Sequence, residues 1–330
     1  MMKEKRLSLC ILTKDEESFF PNCLNDVKDA VGEILVADLG SSDRTRELAS
    51  LGGATVYRPE WEDDFSKIRN FCMDRAAGKW VLFLQADEAI SREQLKELNL
   101  LLQNPVAEGY LIHVDGGQEK QAVSSPAQSL RLIRNRKNYR FHYRSFEYIS
   151  DEELYSVQDS GLRIAHRGEK DAGRLSEEKS RLLQMDLKEH PQDGYLRYME
   201  GLELLNQEKY KESAASLELA YHAFGGGYLY SPHLYKCLGA CLLSLGRNAA
   251  AEEVLNEGFW LFPFYTDLLV LRAELYGRIG RKEEALKDME TCLALLKSPN
   301  ACVPKPEIDS SAAGEILEEI RAGLDGSPNG

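Results

Sequence analysis

Gln85-Ala86-Asp87-Glu88 follows directly on an apolar run, Lys79 to Leu84, that reads as a short strand. A strand that stops on two carboxylates places them at its carboxyl end, where open α/β sheets bind ligands, so the pair points to a metal ion or an anionic ligand. Mg²⁺ and Mn²⁺ favour carboxylate oxygens, water and phosphate, which suits Asp87 as a direct ligand. A carboxylate at the exposed end of a strand is expected to add little to packing. Similar residues end other apolar runs: Thr13-Lys14-Asp15-Glu16-Glu17, Asp38 with the following Gly40-Ser41-Ser42-Asp43, and later Glu147 and His166. Each has an ordinary use when taken alone. Ser42 or Asp43 caps the next helix, Arg69 is a solvated charge on an amphipathic helix, Glu147 is a solvent-facing strand residue, and His166 is a structural histidine closing a strand.

The elements that would position these residues follow from periodicity. The runs LSLCIL, EILVAD, ATVY and WVLFL alternate with helices expected over roughly 16–29, after Asp43, and over roughly 65–77. Continuous apolar strands spaced by helices imply a parallel sheet covered on both faces. After Ala89 the order changes. A helix near 91–103 precedes GYLIHV, SLRLIRN and YRFHYRSFEYI, three strand-like segments with little helix between them, so the sheet becomes mixed. Within 131–144, Arg131, Arg134, Arg136, Lys137, Arg140 and Arg144 interleave with Tyr139, Phe141 and Tyr143. This pattern could be misread as a nucleic-acid patch, but it suits an ordinary half-buried hairpin, a scaffold, first.

Beyond Gly173 helical periodicity takes over, with a repeat. Gly246 and Gly280, and likewise Ala251 and Ala285, stand 34 residues apart, the tetratricopeptide (TPR) period. An earlier unit places Gly201 and Ala220 where paired helices approach closely, and its spacing of 38 from Gly201 to Gly239 is explained by an inserted loop, FGGGYLYSP. Three repeats, with a helix over 174–189 as a cap, are enough to bury a continuous core. The 330-residue chain carries 41 Lys and Arg against 54 Asp and Glu, a formal net charge of −13, which argues against general affinity for nucleic acid or anionic membrane. Seven cysteines without metal-type spacing point to a reduced, cytoplasmic protein, with Cys237 and Cys241 as small core residues. The first residues offer too short an apolar run for a signal sequence, and no run reaches the length of a membrane span.

Taken in order with EWEDDFSKIRNFCMDRAAGKW at 60–80, these segments resemble the family-two inverting glycosyltransferases of the GT-A fold, particularly bacterial members with tetratricopeptide repeats. The resemblance spans nearly the whole chain. It implies an α/β, GT-A nucleotide-sugar-binding domain with a mixed, mainly parallel sheet over 1–173. An all-α TPR-like helical solenoid over 174–300 would follow, then a linker, a short helix and a disordered tail over 301–330. The implied function is metal-dependent, inverting transfer of a sugar from a nucleotide-diphosphate donor, a UDP-sugar above others, to an unidentified acceptor such as a peptide or protein. The repeats would hold the acceptor, a protein partner or a second copy of the chain.

The resemblance also implies roles for residues. Thr13 would contact the donor, and Glu16, in Lys14-Asp15-Glu16-Glu17 where the family usually has Lys-Asn-Glu-Glu, would lie near the nucleoside; Asp38 would pair with the donor base; Arg69, in Ile68-Arg69-Asn70, would contact the diphosphate. Gln85 would lie near the ribose, where a glutamine carbonyl can accept hydroxyl hydrogen bonds. Asp87 would hold Mn²⁺ or Mg²⁺ with His166 as second ligand, and Glu147 would be the base that deprotonates the acceptor. Four positions depart from the usual pattern: Asp15 for Asn, Gln85 for Asp, Phe146 for His and Glu169 for Tyr. They support an alternative reading in which a glycosyltransferase fold has lost turnover and serves as a binding or scaffold module through its repeats.

Overall fold

The apolar strands split cleanly by parity. In β1 (Leu7–Thr13), Leu7, Leu9 and Ile11 pack with Ile34 and Val36 of β2 (Glu33–Asp38) in one core, while Cys10, Leu35 and Ala37 enter another. Because successive side chains of a strand face opposite ways, an unbroken apolar run has two buried faces, and helices must cover both. On the first face lie α1 (Phe20–Val27), α2 (Thr45–Leu51) and α4 (Arg92–Leu101); on the second lies α3 (Phe65–Arg75). The remaining strands are β3 (Thr55–Tyr57), β4 (Trp80–Leu84), β5 (Glu88–Ala89), β6 (Gly109–Asp115), β7 (Gln128–Arg134) and β8 (Val157–His166). This computed structural model describes residues 7–115, 128–149, 154, 156–166, 172–224, 229–297 and 308–325. Glu169, Cys302, residues 225–228 of the inserted loop and the tail 326–330 lie outside the described residues.

The strand order is β3-β2-β1-β4-β7-β6-β8-β5. Strands β1 to β4 run parallel; β7 is antiparallel to both β4 and β6, β8 is parallel to β6, and β5 is antiparallel to β8. The sheet is therefore mixed and mainly parallel, as expected. The placement of β5 also bends it. Only three residues separate β4 from β5, a reach of roughly 14 Å, yet four strand spacings of about 4.8 Å lie between them in a flat sheet. The sheet must curl so that the carboxyl end of β8 approaches that of β4.

Two expectations fail locally. Helix α1 begins at Phe20 rather than near residue 16, because the backbone from Asp15 to Glu17 is committed to the neighbouring loop. The segment 139–149 is not a strand. It forms a compact loop with one isolated bridge, His142 to Tyr148, and left-handed backbone at Tyr143 (φ 71°) and Phe146 (φ 53°).

The chain divides into two compact units, the first ending at Glu189 rather than near residue 173. Helix α5 (Ala172–Glu189), expected to cap the repeats, belongs to the first unit. Its carboxylates Asp186 and Glu189 bind Arg144, and its Arg181 pairs with Asp63 at 3.1 Å.

The second unit consists of helix pairs: α6 (Gly194–Asn206) with α7 (Tyr210–Phe224), α8 (Ser231–Ser244) with α9 (Asn248–Leu261), and α10 (Asp267–Arg278) with α11 (Lys282–Leu296). Helix α12 (Ser310–Asp325) packs on α11 through buried Ala313 and Leu317 and closes the stack. A Cβ at Gly201 would stand 2.5 Å from Leu217, and one at Gly239 2.6 Å from Leu255. The third pair carries Ala273 at the equivalent place and faces it with Met289, a more compliant side chain. Gly246 (φ 69°) and Gly280 (φ 79°) make the turns inside the second and third pairs, and Glu208 (φ 59°) occupies the same left-handed position in the first. A left-handed non-glycine residue costs about 1–2 kcal/mol, partly offset by the smaller chain entropy of Glu in the unfolded state. Glu208→Gly is expected to stabilise the second unit by about 0.5–1 kcal/mol, read as a higher midpoint in urea denaturation with an unchanged slope.

Candidate active site

Thr13 and Asp38 end adjacent parallel strands and are paired in register, so the loops that follow β1 and β2 rise side by side. They are sewn together by side chains. Asp15 Oδ1 accepts from Ser42 N at 2.6 Å, Ser42 Oγ at 3.0 Å and Asp43 N at 3.4 Å, and the Ser42 backbone donor holds the Asp15 carboxyl below the ordinary aspartate value. In return Asp15 N donates to Ser41 Oγ, Glu16 N to Thr45 Oγ1 and Glu17 N to Asp43 Oδ2. The acceptor oxygen is what this position needs, so the departure from Asn to Asp at residue 15 preserves the contact. Thr13 Oγ1 donates to buried Glu16 at 2.8 Å. Asp38, 1% exposed, accepts from Ser41 N at 3.1 Å, with Arg46 at 3.8 Å.

Beside Asp38 opens a pocket of about 450 Å³ lined by Asp38, Leu39, Gly40, Arg58, Pro59 and Trp61. It offers an indole, a carboxylate and an exposed guanidinium around a glycine, a set suited to a planar, hydrogen-bonding ligand.

The turn between β4 and β5 separates the two carboxylates that the sequence presents as a pair. Glu88 is structural: its Oε1 accepts from Arg131 at 2.8 Å and its Oε2 from Gln85 N at 2.7 Å, with the side chain fully buried. Asp87 is also fully buried, contrary to the expectation of an exposed strand end: it lies in the turn that β5 closes by pairing with β8. The β5–β8 ladder sets His166 opposite Glu88, one residue beyond Asp87. Among the described residues no group of three or more His, Cys, Asp or Glu side chains could by itself hold a metal ion. A hard cation that keeps water and takes phosphate oxygens needs only one or two protein ligands, so the Asp87 carboxylate of this turn, with a second ligand from the end of β8 beside it, fits that chemistry.

The third part of the site is the loop carrying Glu147. Helix α3 starts at the cap Asp64, whose side chain accepts from Lys67 N at 3.0 Å, and its next turns grip that loop. Phe65 N donates to Arg144 O, Ser66 Oγ to His142 O, and Asn70 exchanges two hydrogen bonds of 2.9 Å with the backbone of Phe141. Arg69 Nε donates to Glu147 Oε1 at 2.7 Å. From the other side Arg144 binds Asp186, and Ser145 Oγ donates to Lys179 O. Burial pushes the Glu147 carboxyl up, but Arg69 first and Lys179 second outweigh it and hold the group below the ordinary glutamate value. The arginines of 131–144 prove to be scaffold: Arg136 pairs with Glu108 at 2.5 Å, Arg140 with Asp74 at 2.8 Å and Arg144 with Asp186 at 2.7 Å.

Three clusters thus stand at the carboxyl ends of the parallel strands: Thr13, Glu16 and Asp38; Gln85 and Asp87 with the end of β8; and Arg69 with Glu147. Residues 8–159 match the family model described as Glycosyl transferase family 2. The chain carries a family 2 glycosyltransferase domain. A TPR repeat-containing protein of Synechococcus elongatus is 34% identical over 212 residues, 58% of this chain and 50% of that protein. An uncharacterized glycosyltransferase of Rickettsia typhi is 27% identical over 139 residues, 40% of this chain and 47% of that protein. The chain spans about half the length of these curated relatives. Among solved structures, glucosyl-3-phosphoglycerate synthase from Mycobacterium tuberculosis, in complex with Mn²⁺, UDP and glucosyl-3-phosphoglycerate, aligns at 13% identity. That alignment has a TM-score of 0.43 and covers 56% of this chain and 79% of that one.

Sequence reading did not find the Glu88–Arg131 pair, the stitching role of Asp15, or α5 as part of the glycosyltransferase domain. Alternation along β7 set Arg131 among apolar residues and was the signal for a buried partner. Breaking a buried ion pair from one side strands the other charge, at a cost of about 3–5 kcal/mol. Arg131→Met is expected to destabilise the glycosyltransferase domain by about 3 kcal/mol or more, read by denaturant unfolding, with Arg131→Lys recovering part of the loss.

Proposed function

We propose that the glycosyltransferase domain moves a sugar from a nucleotide-diphosphate donor, a UDP-sugar, to an acceptor with inversion at the anomeric carbon. The observation that carries this reading is that the Asp38 pocket, the Asp87 turn and the Arg69–Glu147 pair, the last beside Phe83 near the end of β4, all lie toward the carboxyl ends of the parallel strands. In this reading the pocket takes the nucleoside, with the base at Asp38 and Trp61 and with Thr13 and Glu16 supporting it from the next strand. Gln85 accepts from ribose hydroxyls. Asp87 and His166 would hold Mn²⁺ or Mg²⁺, which supplies charge stabilisation to the departing diphosphate.

Glu147 stands as the base. Held below the ordinary glutamate value, its carboxylate is charged across the neutral range and free of the proton it must accept. It takes the acceptor's proton as the acceptor atom bonds to the anomeric carbon. The bond from that carbon to the diphosphate oxygen breaks on the opposite face, and its electron pair leaves with the nucleotide. The repeats would supply a surface for the acceptor or for a protein partner.

A second reading, a glycosyltransferase fold without turnover that serves as a binding or scaffold module through its repeats, is favoured by the engagement of Glu147 with Arg69. Donor hydrolysis or transfer by the full chain separates the two. With UDP-glucose and Mn²⁺, wild type is expected to release UDP, and Glu147→Gln to retain UDP binding while losing about 10²-fold or more in turnover. Loss of binding together with turnover would make Glu147 a structural residue. Since Asp87 is buried, the nearly isosteric Asp87→Asn is the informative change there. It is expected to abolish the Mn²⁺-dependent part of UDP affinity in calorimetry while the circular dichroism spectrum stays that of wild type.

A further inference from the structure

Arg69 is the residue of the α3 motif whose assignment matters most. Its Nε donates to Glu147 Oε1 at 2.7 Å, with the two side chains only 19% and 14% exposed. The guanidinium carbon lies 4.9 Å from the Phe83 ring centroid and 5.4 Å from that of Phe141, so aromatic faces fix the plane of the group. Ser66, one turn before it, and Asn70, the next residue, hold the backbone of His142 and Phe141. One face of α3 thus does a single job, and a guanidinium enclosed by rings with Nε committed to a carboxylate is poorly placed to reach out to a diphosphate.

We propose that Arg69 is a positioning residue for Glu147, holding the carboxylate where the acceptor must meet it, instead of a contact to the donor diphosphate. The inference rests on Glu147 being the base. The charged groups facing Glu147 are Arg69 from α3 and Lys179 from α5. Phe83 of β4 is apolar, Cys10 of β1 is a buried thiol pushed up by burial, and Arg144 within the loop turns away to Asp186 and Glu189. Desolvation alone would favour the protonated acid; the two cations reverse it. With a folded value below the unfolded one, the stability this group contributes is present above the unfolded value and is lost as pH falls through the folded value. Without the Arg69 charge only Lys179 opposes desolvation, so proton affinity rises.

The test uses the full chain labelled with ¹³C at glutamate Cδ, the Glu147 resonance being the one missing in Glu147→Gln. In wild type it is expected to titrate below about 4.3, the unperturbed glutamate value. Arg69→Gln is expected to raise that midpoint by about one pH unit or more, and Arg69→Lys, which keeps the charge but not the fork, by less. Calorimetry of UDP with Mn²⁺ is expected to give Arg69→Gln an affinity within about two-fold of wild type. An unmoved midpoint overturns the proposal, as does a loss of UDP affinity of about ten-fold or more in a folded variant. If Arg69→Gln does not fold, the same two readouts on Arg69→Lys decide. Donor hydrolysis that survives in Glu147→Gln, with the midpoint still moved by Arg69→Gln, sinks the reading of Glu147 as base and the proposal with it, while the ion pair itself stands.

Discussion

The ion pair between Arg69 and Glu147 is the point on which the glycosyltransferase domain's architecture converges. Glu147 sits in a loop closed by a single bridge, His142 to Tyr148, so its place depends further on side chains from outside. Helix α3 supplies them from one face, and α5 supplies the counterweight through Asp186, Glu189 and the carbonyl of Lys179. Left-handed backbone at Tyr143 and Phe146, costing on the order of 1–3 kcal/mol each, persists only where the surroundings over-determine it. That requirement explains why Asp64-Phe65-Ser66 and Arg69-Asn70 occur at helical spacing. The cap starts the helix, and the next turns present a hydroxyl, a guanidinium and an amide to one strained loop.

A comparable logic holds the donor side. The loops after β1 and β2 carry many polar groups and little apolar surface, and they keep their form by exchanging donors and acceptors with each other. Their relative height is fixed by the Thr13–Asp38 register beneath them. The Asp38 side of the pocket therefore takes its place from the sheet beneath it.

How much of this could be read from the sequence differs by element. The strands β1, β2 and β4 announce themselves as unbroken apolar runs, and the helix pairs by a 34-residue spacing that survives substitution, because only close-approach and turn positions must recur. Strand β5 has two residues and no pattern of its own; it exists because the sheet curls. The alternation in 139–149 satisfies a strand pattern, yet tertiary hydrogen bonds from α3 override it. Asp87 and Glu88 look equivalent on paper, and only the fold shows that Glu88 is used by Arg131 and Gln85. Helix α5 has a periodicity that suits a repeat cap equally well, and it is the carboxylates Asp186 and Glu189, read against Arg144, that attach it to the glycosyltransferase domain. In each case the missing information is a partner distant in sequence.

The same partners bear on the charge balance of the proposed reaction. A chain of net charge −13 that takes up a nucleotide diphosphate needs local positive charge. The arginine-rich stretch looks like a source of it, but Arg131, Arg136, Arg140 and Arg144 each lie within 2.8 Å of a carboxylate, and Arg69 lies 2.7 Å from Glu147. Arg46 is 3.8 Å from Asp38, and Arg58 borders the pocket on the nucleoside side. Arginines matched to internal carboxylates build the scaffold and leave little charge over for a ligand at the Asp87 turn. A divalent cation at that turn would answer this shortfall where the diphosphate must lie. Metal dependence would thus be an electrostatic requirement, set by the pairing of these arginines with internal carboxylates.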